Sequence, residues 1–159
     1  MEFDVRNMKK IKSFEVDHDK LEKGMYISRI DSGIVTYDLR MVKPNNPPYL
    51  ENAALHTFEH IFASYLRSSK YSDNIIYVGP MGCRTGFYLL TYNLSHENAL
   101  SLVKEAMNYI SLFKSDIPGA SRKECGNYKE HDLPKAREYA ADMVKVLEKW
   151  QVENFEYNK

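Results

Sequence analysis

The chain is expected to be an α+β protein, an antiparallel sheet packed against helices in a two-layer arrangement. Short segments of alternating apolar and polar residues are joined in pairs by brief turns, as hairpin strands are. Three longer segments repeat their apolar residues at helical spacing. Strands linked this way segregate from the helices, unlike the regular strand–helix–strand alternation of a doubly wound fold.

Residues 1–10 mix both charge signs without an apolar pattern and are expected to form a flexible extension ahead of one domain at 11–159. Segments 26–30 and 34–42 read as strands joined at Asp31-Ser32-Gly33, a turn triplet. In the second strand Val35, Tyr37, Leu39 and Met41 point one way and Thr36, Asp38 and Arg40 the other. The loop KPNNPP (43–48) cannot be regular, because its prolines lack N–H donors and push their predecessors to extended conformations. A helix is expected over 51–66, with Ala54, Phe58, Ile61, Phe62 and Leu66 on its apolar face. Strands over 74–78 and 87–94 flank the tight stretch GPMGCRTG (79–86). Ser95 is a fitting N-cap for a helix running to about residue 113. Pro134 suits the first turn of a last helix over 135–150.

Lys+Arg and Asp+Glu each number 22, so the net charge is zero and no basic excess marks a nucleic-acid binder. No apolar run approaches the ~20 residues of a membrane helix. The amino terminus lacks the apolar core of a secretory signal, so the chain is expected to be cytoplasmic with its two cysteines, Cys83 and Cys125, reduced.

The string HTFEH (56–60) carries the chemistry. At 100° per residue, Glu59 falls about 60° behind His56 and His60 about 40° ahead, so all three share one arc of the helix. That spacing lets both imidazoles reach one ion with a carboxylate beside them, and it equally describes an ordinary amphipathic helix. A borderline-soft divalent ion favours a thiolate as third ligand, and Cys125, in the loop ECGNY, is one of two available. Cys83 lies in a Gly-containing turn next to Arg84, a place that suits either a reactive thiol or a small buried hydrophobe.

Five segments then fall into a shared order: SFEVDH (13–18), YDLRMVKPN (37–45), LHTFEHIFASYLR (55–67), PMGCRTGFY (80–88) and ECGNYKEHDL (124–133). In order and spacing they resemble the LuxS family of S-ribosylhomocysteine lyases, from residue 11 to the last helix. The resemblance implies that His56, His60 and Cys125 bind one divalent metal per subunit, natively Fe2+, with Zn2+ or Co2+ able to replace it. It implies that Glu59 and Cys83 are the catalytic acid/base groups and that Ser13, His18 and Arg40 hold substrate. It further implies a homodimer with its active sites at the interface. The reaction implied is thioether cleavage of S-ribosylhomocysteine to homocysteine and 4,5-dihydroxy-2,3-pentanedione, the autoinducer-2 precursor. The route is carbonyl migration along the sugar followed by β-elimination, which needs a Lewis acid and two groups that move protons.

Two departures stand out: Tyr77 where the family often has an acid, and Phe58 where it often has Leu. His96 reads as a surface or packing residue, and His131 lies near enough to Cys125 to support the ligands from outside. The rival enzyme reading is a small H-x-x-E-H metallopeptidase, which needs a downstream carboxylate ligand and has no use for a second thiol. The rival without chemistry is a metal-stabilised binding module, and the presence of both Glu59 and Cys83 argues against it.

Overall fold

The computed structural model describes residues 4–157. Residues 1–3 of the expected extension therefore lie outside the described residues. Its remainder holds one 3-10 turn, Val5–Asn7.

Four strands form one antiparallel sheet: β1 (Gly24–Asp31), β2 (Ile34–Arg40), β3 (Ile75–Pro80) and β4 (Gly86–Tyr92), in the order β1-β2-β4-β3. The β1–β2 hairpin closes on Ser32 and Gly33, both at positive φ (52° and 82°), which matches the twist of paired strands. Four helices accompany the sheet: the short α1 (Lys12–Glu15), then α2 (Asn52–Ser68), α3 (His96–Ser111) and α4 (Leu133–Leu147). The short α1 buries nothing and was not legible as a helix, since four residues show no period.

The core lies where the helices meet one sheet face. Met25, Val35, Tyr37, Leu39, Phe87 and Leu89 from the strands pack with Phe58, Phe62, Val103, Met107, Ala140 and Met143 from the helices. Phe58, the family departure, sits 5.1 Å ring to ring from Phe87, so the larger side chain is absorbed by aromatic packing. His96 is a packing residue: its Nδ1 lies 2.6 Å from the Tyr37 hydroxyl.

The helix starts follow the caps. Ser95 accepts the Asn98 N–H at 3.1 Å, and Asp132 accepts the Lys135 N–H at 3.0 Å with Pro134 in the first turn. The last helix stops three residues short of the expected 150. Trp150 leaves the helix because its Nε1 donates to the Met25 carbonyl at 2.8 Å, tying the carboxyl-terminal segment to β1.

The opposite sheet face also departs from a simple alternation. Asp38 and Arg40 point away from the core as the pattern requires, yet they are only 1% and 3% exposed. Tyr157 covers them, stacked on Tyr26 at 5.0 Å and donating to Asp38 Oδ2 at 2.6 Å.

Two measurable consequences arise here. Gly86 pairs with Arg40, and a Cβ there would run into the Leu39 carbonyl oxygen of the neighbouring strand. Gly86→Ala is expected to lower stability by about 2–3 kcal/mol, as overpacking does, read as a shifted denaturant midpoint; an unchanged midpoint contradicts the close approach. The second concerns alkaline pH. Burial pushes the Tyr37 phenol up to about 12, and burial with the Asp38 charge raises that of Tyr157. A raised phenol means that the unfolded chain ionises first. This stabilisation is complete below the ordinary value of 10 and is lost as pH rises toward the folded value. Tm should fall above pH 10, less steeply in Tyr37→Phe and Tyr157→Phe; superimposable curves contradict it.

Candidate metal centre

Helix α2 sets two imidazoles one turn apart on the side facing the loop between α3 and α4. Their rings meet edge to face at 4.6 Å and 82°, with Nε2 atoms 3.0 Å apart. His56 Nδ1 lies 2.7 Å from the Glu130 carbonyl and His60 Nδ1 2.8 Å from the Pro118 carbonyl. A carbonyl only accepts, so each Nδ1 carries a proton, and in its neutral form each ring turns a lone pair outward from Nε2. In that form two lone pairs face each other across 3.0 Å, an arrangement that a cation between them resolves.

The Cys125 sulfur approaches the same point, 3.4 Å from His56 Nε2 and 3.8 Å from His60 Nε2. Metal–nitrogen bonds of ~2.0–2.1 Å and metal–sulfur bonds of ~2.3 Å in a tetrahedron imply separations of about 3.3 Å between nitrogens and about 3.6 Å from nitrogen to sulfur. The three ligand atoms thus already stand near the corners that one ion requires. Glu59, on the same helix between the two histidines, is half-buried.

The loop is docked through Thr57, on the buried side of α2. Its hydroxyl oxygen accepts the Asp132 N–H at 2.9 Å and lies 2.9 Å from His131 Nδ1. With the two histidine–carbonyl bonds, these contacts pin residues 118–132 against the helix. His131 stacks on His56 at 4.1 Å and 20° and meets His60 edge-on at 5.0 Å. Its Nε2 is buried without a partner and belongs to the same group of potential ligand atoms, all within 4.8 Å. A ring binds an ion along the lone pair in its own plane, and planes only 20° apart do not converge about 2 Å from both nitrogens. His131 therefore stands beside the centre rather than as a fourth ligand. Burial and then the neighbouring His56 and His60 hold its pKa below the ordinary 6.5.

The second thiol occupies the turn from Met81 to Arg84, closed by the Arg84 N–H on the Met81 carbonyl at 3.0 Å, with Arg84 at φ 60°. The Arg84 carbonyl accepts the Leu50 N–H at 2.9 Å, which docks the turn just ahead of α2, the helix that bears His56 and His60. Cys83 is exposed. It shares a cavity of about 240 Å³ with His18, Pro44, Asn45, Tyr49 and Thr85. His18 Nδ1 donates to the Val16 carbonyl at 2.8 Å.

Arg40 lies behind this cavity. Its Nε and Nη2 donate to Asp38 at 3.1 and 2.6 Å, and its Nη1 donates to Thr85 Oγ1 at 2.9 Å. Burial alone would lower its pKa, but the Asp38 carboxylate raises it on balance, with a smaller push from Cys83. Ser13 opens on a different cavity, of about 180 Å³, with Ser28, Thr36 and Tyr88. The chain thus gathers His56, His60 and Cys125 at one point and Cys83 with His18 at another, while Ser13 stands apart. Thr57 and Thr85 lie inside the quoted segments and Tyr157 outside them, but none was singled out, because their contacts with Asp132, Arg40 and Asp38 join residues distant in sequence.

The family model described as S-Ribosylhomocysteinase (LuxS) matches residues 11–154. Similar chains include the S-ribosylhomocysteine lyase of Borreliella afzelii, 45% identical over 156 residues that cover 94% of this chain and 99% of that one. The S-ribosylhomocysteine lyase of Phocaeicola vulgatus is 45% identical over 157 residues, 94% and 98% of the two chains. That of Clostridium acetobutylicum is 38% identical over 156 residues, 94% and 99%.

Proposed function

This chain belongs to the S-ribosylhomocysteinase (LuxS) family, and from that footing we propose that it is an S-ribosylhomocysteine lyase holding one divalent metal on His56, His60 and Cys125. The observation that carries the metal assignment is the pair of Nε2 atoms 3.0 Å apart with a sulfur beside them. Two imidazoles and a thiolate suit a borderline ion, and Fe2+ is the proposed native metal with Zn2+ or Co2+ as substitutes. When bound, it supplies Lewis-acid polarisation of the sugar carbonyl oxygens.

The remaining chemistry falls to side chains. Cleaving the thioether requires protons to leave carbon and to move between oxygens before homocysteine is expelled by β-elimination. Cys83, exposed in its cavity, and Glu59, beside the metal ligands, are proposed as the two groups that move them. His18 shares the Cys83 cavity, which supports a role in holding substrate. Ser13 and Arg40 are proposed for the same task, Arg40 from behind the cavity, where Asp38 and Thr85 fix its guanidinium. Ser13 opens on another cavity of its own chain, which favours a homodimer whose active sites lie at the interface and draw on both subunits. We further propose one catalytic domain over 11–159 after a flexible 1–10, a cytoplasmic location, and roles in the activated methyl cycle and in quorum sensing through the dione product. Among the described residues, no helix is long and apolar enough to cross a membrane.

The test is free-thiol release from S-ribosylhomocysteine under anaerobic conditions, with metal content measured on the same sample. Metal-loaded protein should release thiol in proportion to its metal. Fully loaded protein that releases none would overturn the lyase assignment, and cleavage of casein by the same sample would favour the peptidase.

A further inference from the structure

We propose that Thr85 is a positioning residue for the Cys83 sulfur, its hydroxyl donating to the thiolate while Arg40 holds the hydroxyl oxygen in place; the catalytic consequence rests on the lyase reading above. Thr85 is 2% exposed and Arg40 3%. A guanidinium only donates, so at 2.9 Å from Arg40 Nη1 the Thr85 oxygen must accept. The same oxygen lies 3.1 Å from Cys83 Sγ. A neutral thiol and a hydroxyl can each donate to the other. Once the sulfur has given up its proton it only accepts, and the Thr85 hydrogen is the one that fills the gap.

Arg40 is not free to swing onto the sulfur itself. Two of its nitrogens are held by Asp38 at 3.1 and 2.6 Å, and Asp38 is in turn held by the Tyr157 hydroxyl at 2.6 Å. Buried charge-assisted hydrogen bonds of this kind hold their geometry strongly. Tyr157 and Arg40 therefore converge on Asp38, while Arg40 and Thr85 pass orientation onward to Cys83, which opens on the cavity shared with His18. The backbone of the turn is held by the Arg84 N–H on the Met81 carbonyl and the Leu50 N–H on the Arg84 carbonyl, while the space beside Gly82 is open. Among the described residues, Thr85 is the hydrogen-bonding partner of Cys83.

The experiment uses the purified, metal-loaded full chain with iodoacetamide at one fixed pH, reading alkylation of the Cys83 peptide separately from that of Cys125 by mass spectrometry. A hydrogen bond to a charged group is worth about tenfold or more in an equilibrium. Thr85→Val should therefore slow Cys83 alkylation by about tenfold and lower kcat by a similar factor, with KM changed by less than about threefold. Thr85→Ser, which keeps the hydroxyl, should rescue both to within about threefold of wild type. Wild-type alkylation in Thr85→Val would overturn the proposal. So would a Thr85→Ser protein as slow as expected for Thr85→Val, because the methyl group would then be what matters. The serine variant decides the matter even if the valine variant does not fold. Alkylation needs no substrate, so a wild-type chain without lyase activity would sink the lyase reading and leave this result standing.

Discussion

His56→Ala and Cys125→Ala proteins are expected to purify with about a tenth or less of the metal found in wild type, because a site of three protein ligands does not survive as two. The effect should be large because the two Nε2 atoms stand 3.0 Å apart with the Cys125 sulfur 3.4 Å and 3.8 Å away, so each variant removes one corner of the site. Elemental analysis of matched preparations provides the measurement. Thiol release from S-ribosylhomocysteine should fall with the metal. Lowering the pH should also strip metal from wild type, since the ligands must be unprotonated to bind. His131→Leu provides the contrast: with its ring stacked on His56 rather than aimed at a shared ion, it should retain most of its metal. Stoichiometric metal in Cys125→Ala would remove the thiolate from the centre, and emptying of the site in His131→Leu to the extent seen in His56→Ala would make His131 a ligand.

Cys83→Ala and Glu59→Gln are expected to separate chemistry from metal binding. Neither residue contributes to the cluster of ligand atoms, so both proteins should hold wild-type metal. General acid/base groups contribute ~10²–10⁴-fold each, and turnover should fall by at least that much in either variant. Glu59→Gln keeps the side-chain volume and Cys83→Ala removes the sulfur of an exposed residue, so folding should be little affected. Melting curves close to wild type would establish that. A wild-type rate of thiol release in either variant would refute the catalytic assignment of that residue.

Much of the fold was readable along the chain because its signals are local. Ser95 and Pro134 marked two helix starts, and the triplet Asp31-Ser32-Gly33 marked the hairpin, since caps and turns act within four residues. The end of α4 was not, because the apolar period runs on past Leu147 and distant contacts draw the chain off: Trp150 Nε1 donates to the Met25 carbonyl, 125 residues away, and the Trp150 carbonyl accepts from Lys104. Alternation placed Asp38 and Arg40 on the side away from the core, and a pattern that counts faces assigns such a side to water. It is dry because Tyr157, 119 residues from Asp38, lies across it.

The same division runs through the metal centre. The four-residue spacing of His56 and His60 follows from helical geometry, and any folded form that keeps α2 keeps that pair on one side. The arrival of Cys125, 69 residues from His56, has no such local cause. It depends on a loop with no regular structure being docked by Thr57, by the Glu130 and Pro118 carbonyls and by the start of α4. Short-range order is written in residue spacing because backbone geometry is the same everywhere. Convergence of distant donors is not, because it depends on how whole elements pack.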